Sequence, residues 1–115
     1  MIYKSETGKI KVRKQISRIY KLKSPENYKE FNIKTSFGNT FILSYGDCSK
    51  PPILFLHGST SNSSTWFGAI KYFINDYCIY FVDIPGEPGL SETKRLLLSS
   101  NEPSLWINEI CKNMN

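Results

Sequence analysis

The chain contains one histidine and three cysteines among its 115 residues, which limits the metal and redox sites that it could build. Cys48, Cys78 and Cys111 are widely spaced and form no Cys-x-x-Cys pair. An odd number of cysteines without paired spacing argues against a disulfide scaffold and against a zinc site. The single histidine, His57, has no second histidine, cysteine or glutamate beside it, so we expect a packed, hydrogen-bonded side chain, no metal and no cofactor.

Long apolar segments are also missing from the sequence. No apolar run approaches the roughly 20 residues that a membrane-spanning helix needs. The first residues, Met1 to Glu6, lack the apolar core of a signal peptide. We therefore expect no contact with a membrane, and a reducing cytoplasm is the expected compartment.

The net charge of +5 is concentrated at the N-terminus. Residues 1–34 hold ten Lys and Arg against three Glu, whereas residues 35–115 hold five against seven Asp and Glu. A basic arm of this kind can bind nucleic acid or a partner chain. The alternative, which we favour, is the solvated face of an amphipathic helix, and nucleic acid is not the expected partner.

The first 28 residues are predicted to form this basic amphipathic helix, and residues 29–115 the rest of the fold. The helix is expected over residues 7–23, capped by Ser5 or Thr7 and ended by Pro25. Four apolar positions at helical spacing define its buried stripe. They are Val12, Ile16, Ile19 and Tyr20.

Residues 29–46 alternate between apolar and polar side chains, which is typical of a β-hairpin. Gly38-Asn39 is the expected tight turn, since it supplies the positive φ that such turns need. The apolar positions are Phe31, Ile33 and Phe37 before this turn, and Phe41, Leu43 and Tyr45 after it.

The second half of the chain predicts a βαβ unit followed by a last helix. Strands are expected at residues 53–57 and 78–83, with a helix over 64–75 between them, so the two strands should be parallel. Residues 92–101 look irregular, and Asn101-Glu102-Pro103 begins the C-terminal helix.

Two motifs carry a resemblance to a known family. The apolar strand Ile53-Leu54-Phe55-Leu56 ends in His57-Gly58, with Trp66 at the start of the next helix, and the following strand runs into Asp83-Ile84-Pro85-Gly86-Glu87-Pro88-Gly89-Leu90-Ser91. The pair resembles the third strand and oxyanion loop of the α/β-hydrolase superfamily and its Asp-x-x-Gly-x-x-Gly-x-Ser loop. The resemblance implies the α/β class, with an incomplete α/β-hydrolase fold. Its expected parts are an N-terminal helix, a hairpin, a βαβ unit and a C-terminal helix on a small mixed sheet.

The resemblance also assigns candidate site residues. The backbone N–H of Ser59, after His57-Gly58, stands where the family donates to the oxyanion of acyl transfer. Gly58 and Thr60 are the expected substrate contacts beside it. Trp66 could line an acyl pocket or fill the core, and both interpretations stay open.

Other residues near this site are expected to serve the structure. Asp83 is expected to anchor its own Pro-Gly loop through local backbone N–H groups. Gly86 and Gly89 belong to that loop, and His57 is expected to pack beneath the site. Glu87 and Glu92 are expected to be solvated.

The catalytic triad of the resembled family is missing from the sequence. No Gly-x-Ser-x-Gly occurs, and His57 precedes the place where the family carries its nucleophile, whereas the family's catalytic histidine comes last. We expect the nucleophile elbow to follow residue 115, so that this chain is a truncated, inactive part of a hydrolase acting on small ester-type substrates.

In the resembled fold, the strand that leads to the nucleophile lies beside strand 53–57. Without it, strand 53–57 becomes a sheet edge, which invites self-association or pairing with a separate C-terminal half. The alternative function is a non-catalytic interaction module, which binds a partner chain or nucleic acid through its basic helix. A complete small α/β domain without catalytic role is a third interpretation.

Overall fold

Four β-strands and three α-helices make up the regular structure of the part of the chain that is described. The structure is a computed structural model and describes residues 3–24 and 27–114; Pro25, expected to end the first helix, lies outside them. The helices are α1 (Glu6–Lys23), α2 (Ile70–Phe73) and α3 (Glu102–Asn113), and a 3₁₀ helix, Ser63–Ala69, leads into α2. The strands are β1 (Lys29–Thr35), β2 (Gly38–Tyr45), β3 (Pro52–Leu56) and β4 (Cys78–Val82).

The strands form one mixed sheet in the order β1-β2-β4-β3. β2 pairs antiparallel with β1 and with β4, and β3 pairs parallel with β4 in the register Ile53↔Ile79. The predicted parallel pair is confirmed, and β4 lies between β3 and the hairpin. Within the described residues β3 has a neighbour on one side only, so it forms an edge of the sheet.

The turn of the hairpin lies two residues earlier than predicted. Thr35 pairs with Gly38, so Ser36 and Phe37 form the turn and Gly38 is the first residue of β2, with a φ of 96°. Thr35 explains the shift, because its Oγ1 accepts a hydrogen bond from Phe37 N at 3.0 Å and donates one to Gly38 O at 2.9 Å. A threonine side chain can close a turn in this way and compete with the strand pairing.

The segment after β3 is less regular than the predicted helix over residues 64–75. The 3₁₀ helix occupies most of it and the α-helical part is one turn long. Asn62 begins the segment, since its Oδ1 accepts hydrogen bonds from the backbone N–H and the hydroxyl of Ser64. Polar residues that bond their own backbone favour caps and turns over regular helix.

The α1 helix is capped as predicted, but its stripe is buried only in part. Ser5 Oγ accepts a hydrogen bond from Gly8 N at 3.0 Å. Ile16 and Tyr20 are buried, whereas Val12 and Ile19 are 38% and 41% exposed. The helix therefore meets the core along a narrow line. None of the described helices combines the length and the apolar character that a bilayer crossing requires.

The sheet has an apolar core on each face. One face packs against α1 and the 3₁₀ helix, where Tyr20 stacks on Phe41 with ring centres 5.9 Å apart. The other packs against α3, whose predicted start at Asn101-Glu102 is confirmed. There the indole N–H of Trp106 donates to Thr40 Oγ1 at 2.8 Å, so both buried polar groups are paired.

Candidate active site

Two loops begin at the same end of the sheet, because β3 and β4 are parallel and their carboxyl ends lie together. The β3 loop comprises residues 57–62, and the β4 loop comprises residues 83–91. Ligands of open α/β sheets bind beyond the carboxyl ends of the strands. All the candidate site residues except Trp66 belong to one of these two loops.

The buried carboxylate of Asp83 joins the two loops to α1. Its side chain accepts hydrogen bonds from Tyr20 Oη at 2.9 Å, from Ser63 N at 3.0 Å and Ser63 Oγ at 2.6 Å, and from Leu90 N at 3.0 Å. Asp83, Tyr20 and Ser63 are fully buried. The expected bond to the local backbone is present through Leu90, but the carboxylate also holds two segments distant in the chain.

The protonation of this cluster is set by burial and by the charge of Asp83. Burial raises the pKa of the Tyr20 phenol well above its usual value of 10, and the neighbouring Asp83 raises it further. The phenol therefore stays a hydrogen-bond donor throughout the neutral range. Three donor residues surrounding one buried carboxylate supply the pairing that a buried charge requires.

The two glycines of the β4 loop meet different steric demands. A Cβ at Gly89 would lie 2.7 Å from Cγ of Asp83, so only glycine lets the loop close over the carboxylate. Gly86 has a φ of 85°, and a Cβ there would lie 2.5 Å from the Cα of Arg95. Gly89 thus allows the loop to fold back upon the end of β4, and Gly86 allows the segment around Arg95 to pack against the loop.

His57 links the two loops directly. Its Nε2 accepts a hydrogen bond from Ile84 N at 3.0 Å, and its Nδ1 lies 2.8 Å from Gly58 O. Because a backbone amide only donates, Nε2 is the unprotonated nitrogen and Nδ1 carries the hydrogen donated to Gly58 O. The ring is 5% exposed, and neither nitrogen contacts a hydroxyl or a carboxylate.

Two more bonds cross between the loops. Asn62 Nδ2 donates to Pro88 O at 2.9 Å, and Thr60 N donates to Glu87 Oε2 at 2.8 Å. The expectation that Glu87 is simply solvated is therefore wrong, since its half-buried side chain binds the other loop. Glu92 is half-buried as well, and its side chain lies against Gly38 at the start of β2.

Ser59 lies in the middle of the β3 loop. It is exposed, and its backbone N–H has no hydrogen-bond acceptor in residues 3–24 and 27–114. A Cβ added at the preceding Gly58 would meet no atom within 4 Å, so the space beside the N–H is open. A backbone N–H next to open space can donate to a ligand oxygen.

A small cavity of about 110 Å³ lies beside Ser59. It is lined by Ser59, Thr60, Ile84, Pro85, Glu87, Arg95, Leu96 and Leu98. Gly58 does not line this cavity, and neither does Trp66. The Trp66 ring packs on Phe55 with centres 5.2 Å apart, and its Nε1 is buried without a partner among the described residues.

Nothing in the described part of the chain offers a metal site. No group of three or more His, Cys, Asp or Glu side chains there is arranged to hold an ion.

Comparison with known proteins points to esterases. The chain is 29% identical over 90 residues to an uncharacterised carboxylesterase of Bacillus subtilis, nap; the match covers 78% of this chain and 30% of that relative. It is 26% identical over 86 residues to carboxylesterase YbfK of the same organism, covering 75% and 29%. No protein-family model matches the chain.

The solved structures agree with these relatives. Naproxen esterase of Bacillus subtilis superposes with a TM-score of 0.82 at 28% identity, over 97% of this chain and 39% of that one. The matches fall in the N-terminal part of the relatives. The chain folds as the N-terminal part of an α/β-hydrolase. It spans about 30% of the length of the curated relatives that it matches.

Several residues of this candidate site carry no signal in the local sequence pattern. Tyr20 fits the predicted apolar stripe of α1, and Ser63 lies in the polar segment Ser61-Asn62-Ser63-Ser64-Thr65, which singles out none of its members. Arg13 was counted with the solvated charges, yet it donates to Leu90 O at 2.6 Å and to Ser91 O at 2.8 Å. These bonds span 63 to 78 positions of the chain, and local periodicity carries no signal for them.

The Asp83 network predicts a large loss of stability on neutralisation of this side chain. Asp83→Asn keeps the size but replaces an acceptor oxygen by an NH₂ group facing other donors. We expect the free energy of unfolding to fall by on the order of 3 kcal/mol. Urea titration followed by circular dichroism measures the change, and Asp76→Asn, at an exposed site, is the matched control. Equal stability of the two variants would contradict the role of Asp83.

Proposed function

We propose that this chain supplies the oxyanion-binding part of a serine carboxylesterase and does not hydrolyse esters alone. The observation that carries the proposal is the N–H of Ser59, which is without an acceptor beside open space while the surrounding loop is tied to its neighbour. The carboxylesterase relatives support the choice of reaction.

The role of Ser59 follows from the charge that ester hydrolysis develops. When a nucleophile attacks the ester carbonyl, the carbonyl oxygen becomes negative, and a preplaced N–H stabilises it more than the neutral substrate oxygen. One such donor contributes on the order of a hundred- to a thousandfold in rate where the remaining machinery is present. The cavity lined by Ile84 and Leu98 would take an uncharged group of the ester.

The nucleophile, its histidine and its acid are proposed to come from a separate segment. His57 cannot act as the base of a nucleophile here, because its two ring nitrogens are bonded to Ile84 N and Gly58 O. Small esters are the proposed substrates of the assembled enzyme. The cytoplasm is the proposed location, and the three free cysteines are compatible with a reducing compartment.

The inactivity of the isolated chain can be tested with p-nitrophenyl acetate. We expect its turnover to match that of the Ser59→Pro variant, which lacks the proposed donor. We expect a fusion of this chain to the C-terminal part of naproxen esterase to hydrolyse the ester, and Ser59→Pro in the fusion to lower kcat about a hundredfold.

Two controls accompany this test. Circular dichroism establishes that the Ser59→Pro variant is folded, and a serine-directed phosphonate counts active sites. Turnover by the isolated chain that the phosphonate abolishes would show that it carries its own nucleophile, and would refute the proposal.

The edge strand β3 is the proposed surface for pairing with the missing half or with a second copy. Leu56 is 42% exposed, and Ile53, Leu54 and Phe55 are half-buried on a strand that has one described neighbour. Unpaired backbone groups together with apolar side chains favour the pairing of such an edge with another strand.

This edge predicts association that depends on concentration. We expect sedimentation velocity to show dimers or larger species as the concentration is raised, and Leu56→Lys to shift the chain towards monomer. Leu22→Lys is the control, since Leu22 is 75% exposed on α1 away from the edge. A wild-type chain that stays monomeric at all concentrations, or equal effects of the two variants, would argue against pairing through β3.

A further inference from the structure

We propose that Glu87 is a positioning residue of the oxyanion loop, which holds the turn that carries the Ser59 donor. This inference rests on the proposed function of Ser59. Glu87 lies on the β4 loop, yet its carboxylate binds the β3 loop at Thr60, the residue next to Ser59. Glu87 is therefore proposed to act through Thr60 and not by contact with the substrate.

Thr60 adopts a backbone conformation that needs support. Its φ of 58° is the only positive value at a non-glycine residue in the described part of the chain. The left-handed region costs an L-residue about 1–2 kcal/mol, and a β-branched side chain is especially rare there. A hydrogen bond from Thr60 N to an ionised carboxylate at 2.8 Å is of the strong, charge-assisted kind that offsets such a cost.

The peptide unit that joins Ser59 to Thr60 is held at both ends. Glu87 accepts from its N–H, and the hydroxyl of Thr60 donates to its carbonyl, Ser59 O, at 2.6 Å. The preceding peptide unit, which carries the Ser59 N–H, is held only at its carbonyl, where Gly58 O accepts from His57. The Ser59 N–H therefore lies between two bonded groups of the loop, Gly58 O and Thr60 N. Glu87 supplies the bond at Thr60, on the C-terminal side.

Glu87 is also held near the site through its backbone, which leaves its carboxylate available for the bond to Thr60. The bond from Glu87 N to Ile84 O, at 3.2 Å, fixes its backbone within the β4 loop. Glu87 and Ser59 both line the 110 Å³ cavity. Because β3 ends at Leu56 and the 3₁₀ helix begins at Ser63, no strand or helix bond holds Thr60 in place.

The expected consequence is an effect on kcat with little effect on binding. A misplaced oxyanion donor stabilises the transition state less well. The neutral carbonyl of the bound substrate depends less on this hydrogen bond, so substrate binding changes little. In the fusion with the C-terminal part of naproxen esterase, Glu87→Ala should lower kcat about tenfold and leave KM within about twofold. Glu87→Gln keeps an acceptor oxygen of the same reach but loses the charge that strengthens the bond, so its kcat should lie between those of Glu87→Ala and the wild type.

The isolated chain gives a second readout that needs no activity. In its ¹H–¹⁵N spectrum we expect the Thr60 amide of the wild type to lie downfield and to shift little with temperature, as bonded amides do. Glu87→Ala should remove both properties at Thr60 and leave Ser63 and Leu90, which bind Asp83, unchanged. The control is Asp76→Ala, which removes an exposed carboxylate at another surface.

The outcomes separate the two proposals. An active fusion in which Glu87→Ala has wild-type kcat, or an unchanged Thr60 amide in this variant, overturns the role of Glu87. A kcat for Glu87→Gln no higher than that for Glu87→Ala also overturns it, because an acceptor oxygen of the same reach would then make no difference. A fusion that is inactive in every variant removes the proposed function of Ser59, and the Glu87 inference, which depends on it, falls too.

Discussion

The buried carboxylate of Asp83 connects three parts of the chain through hydrogen bonds to a single group. Tyr20 reaches it from α1, Ser63 from the start of the 3₁₀ helix, and Leu90 from the end of the β4 loop. A charge in this environment is tolerated only when its oxygens are fully hydrogen-bonded. Each donor therefore depends on the presence of the others, and the segments that carry them are held together.

This constraint explains how short loops can present an ordered backbone donor. The β3 loop has no strand or helix bonds of its own, but it is tied to the β4 loop through His57, Thr60 and Asn62. Arg13 donates to the carbonyls at the end of the β4 loop and so fixes this loop to α1. The N–H of Ser59 has no acceptor among the described residues, although the loop that carries it is fixed to its neighbour. A donor fixed in this way is what the proposed oxyanion site requires.

Local patterns in the sequence sufficed for the strands and for the parallel pair, because apolar runs bounded by Pro and Gly are strong signals and a βαβ unit makes its two strands parallel. They failed where a side chain competes with the backbone: Thr35 moved the hairpin turn, and Asn62 favoured a 3₁₀ start. They could not find Tyr20 or Glu87 as partners of the site. Both residues fit a simpler local role, apolar stripe or solvated charge, and their contacts are made only in the folded chain.

The most direct test of this account is native-state hydrogen exchange of the backbone amides at the two loops. If the Asp83 network organises the loops, Ser63 N and Leu90 N should exchange only on global unfolding, Thr60 N and Ile84 N should show intermediate protection, and Ser59 N should exchange at nearly the rate of an unstructured peptide. Rapid exchange at Ser63 and Leu90, or strong protection of Ser59, would contradict the claim that a rigid frame built around Asp83 leaves the Ser59 donor available.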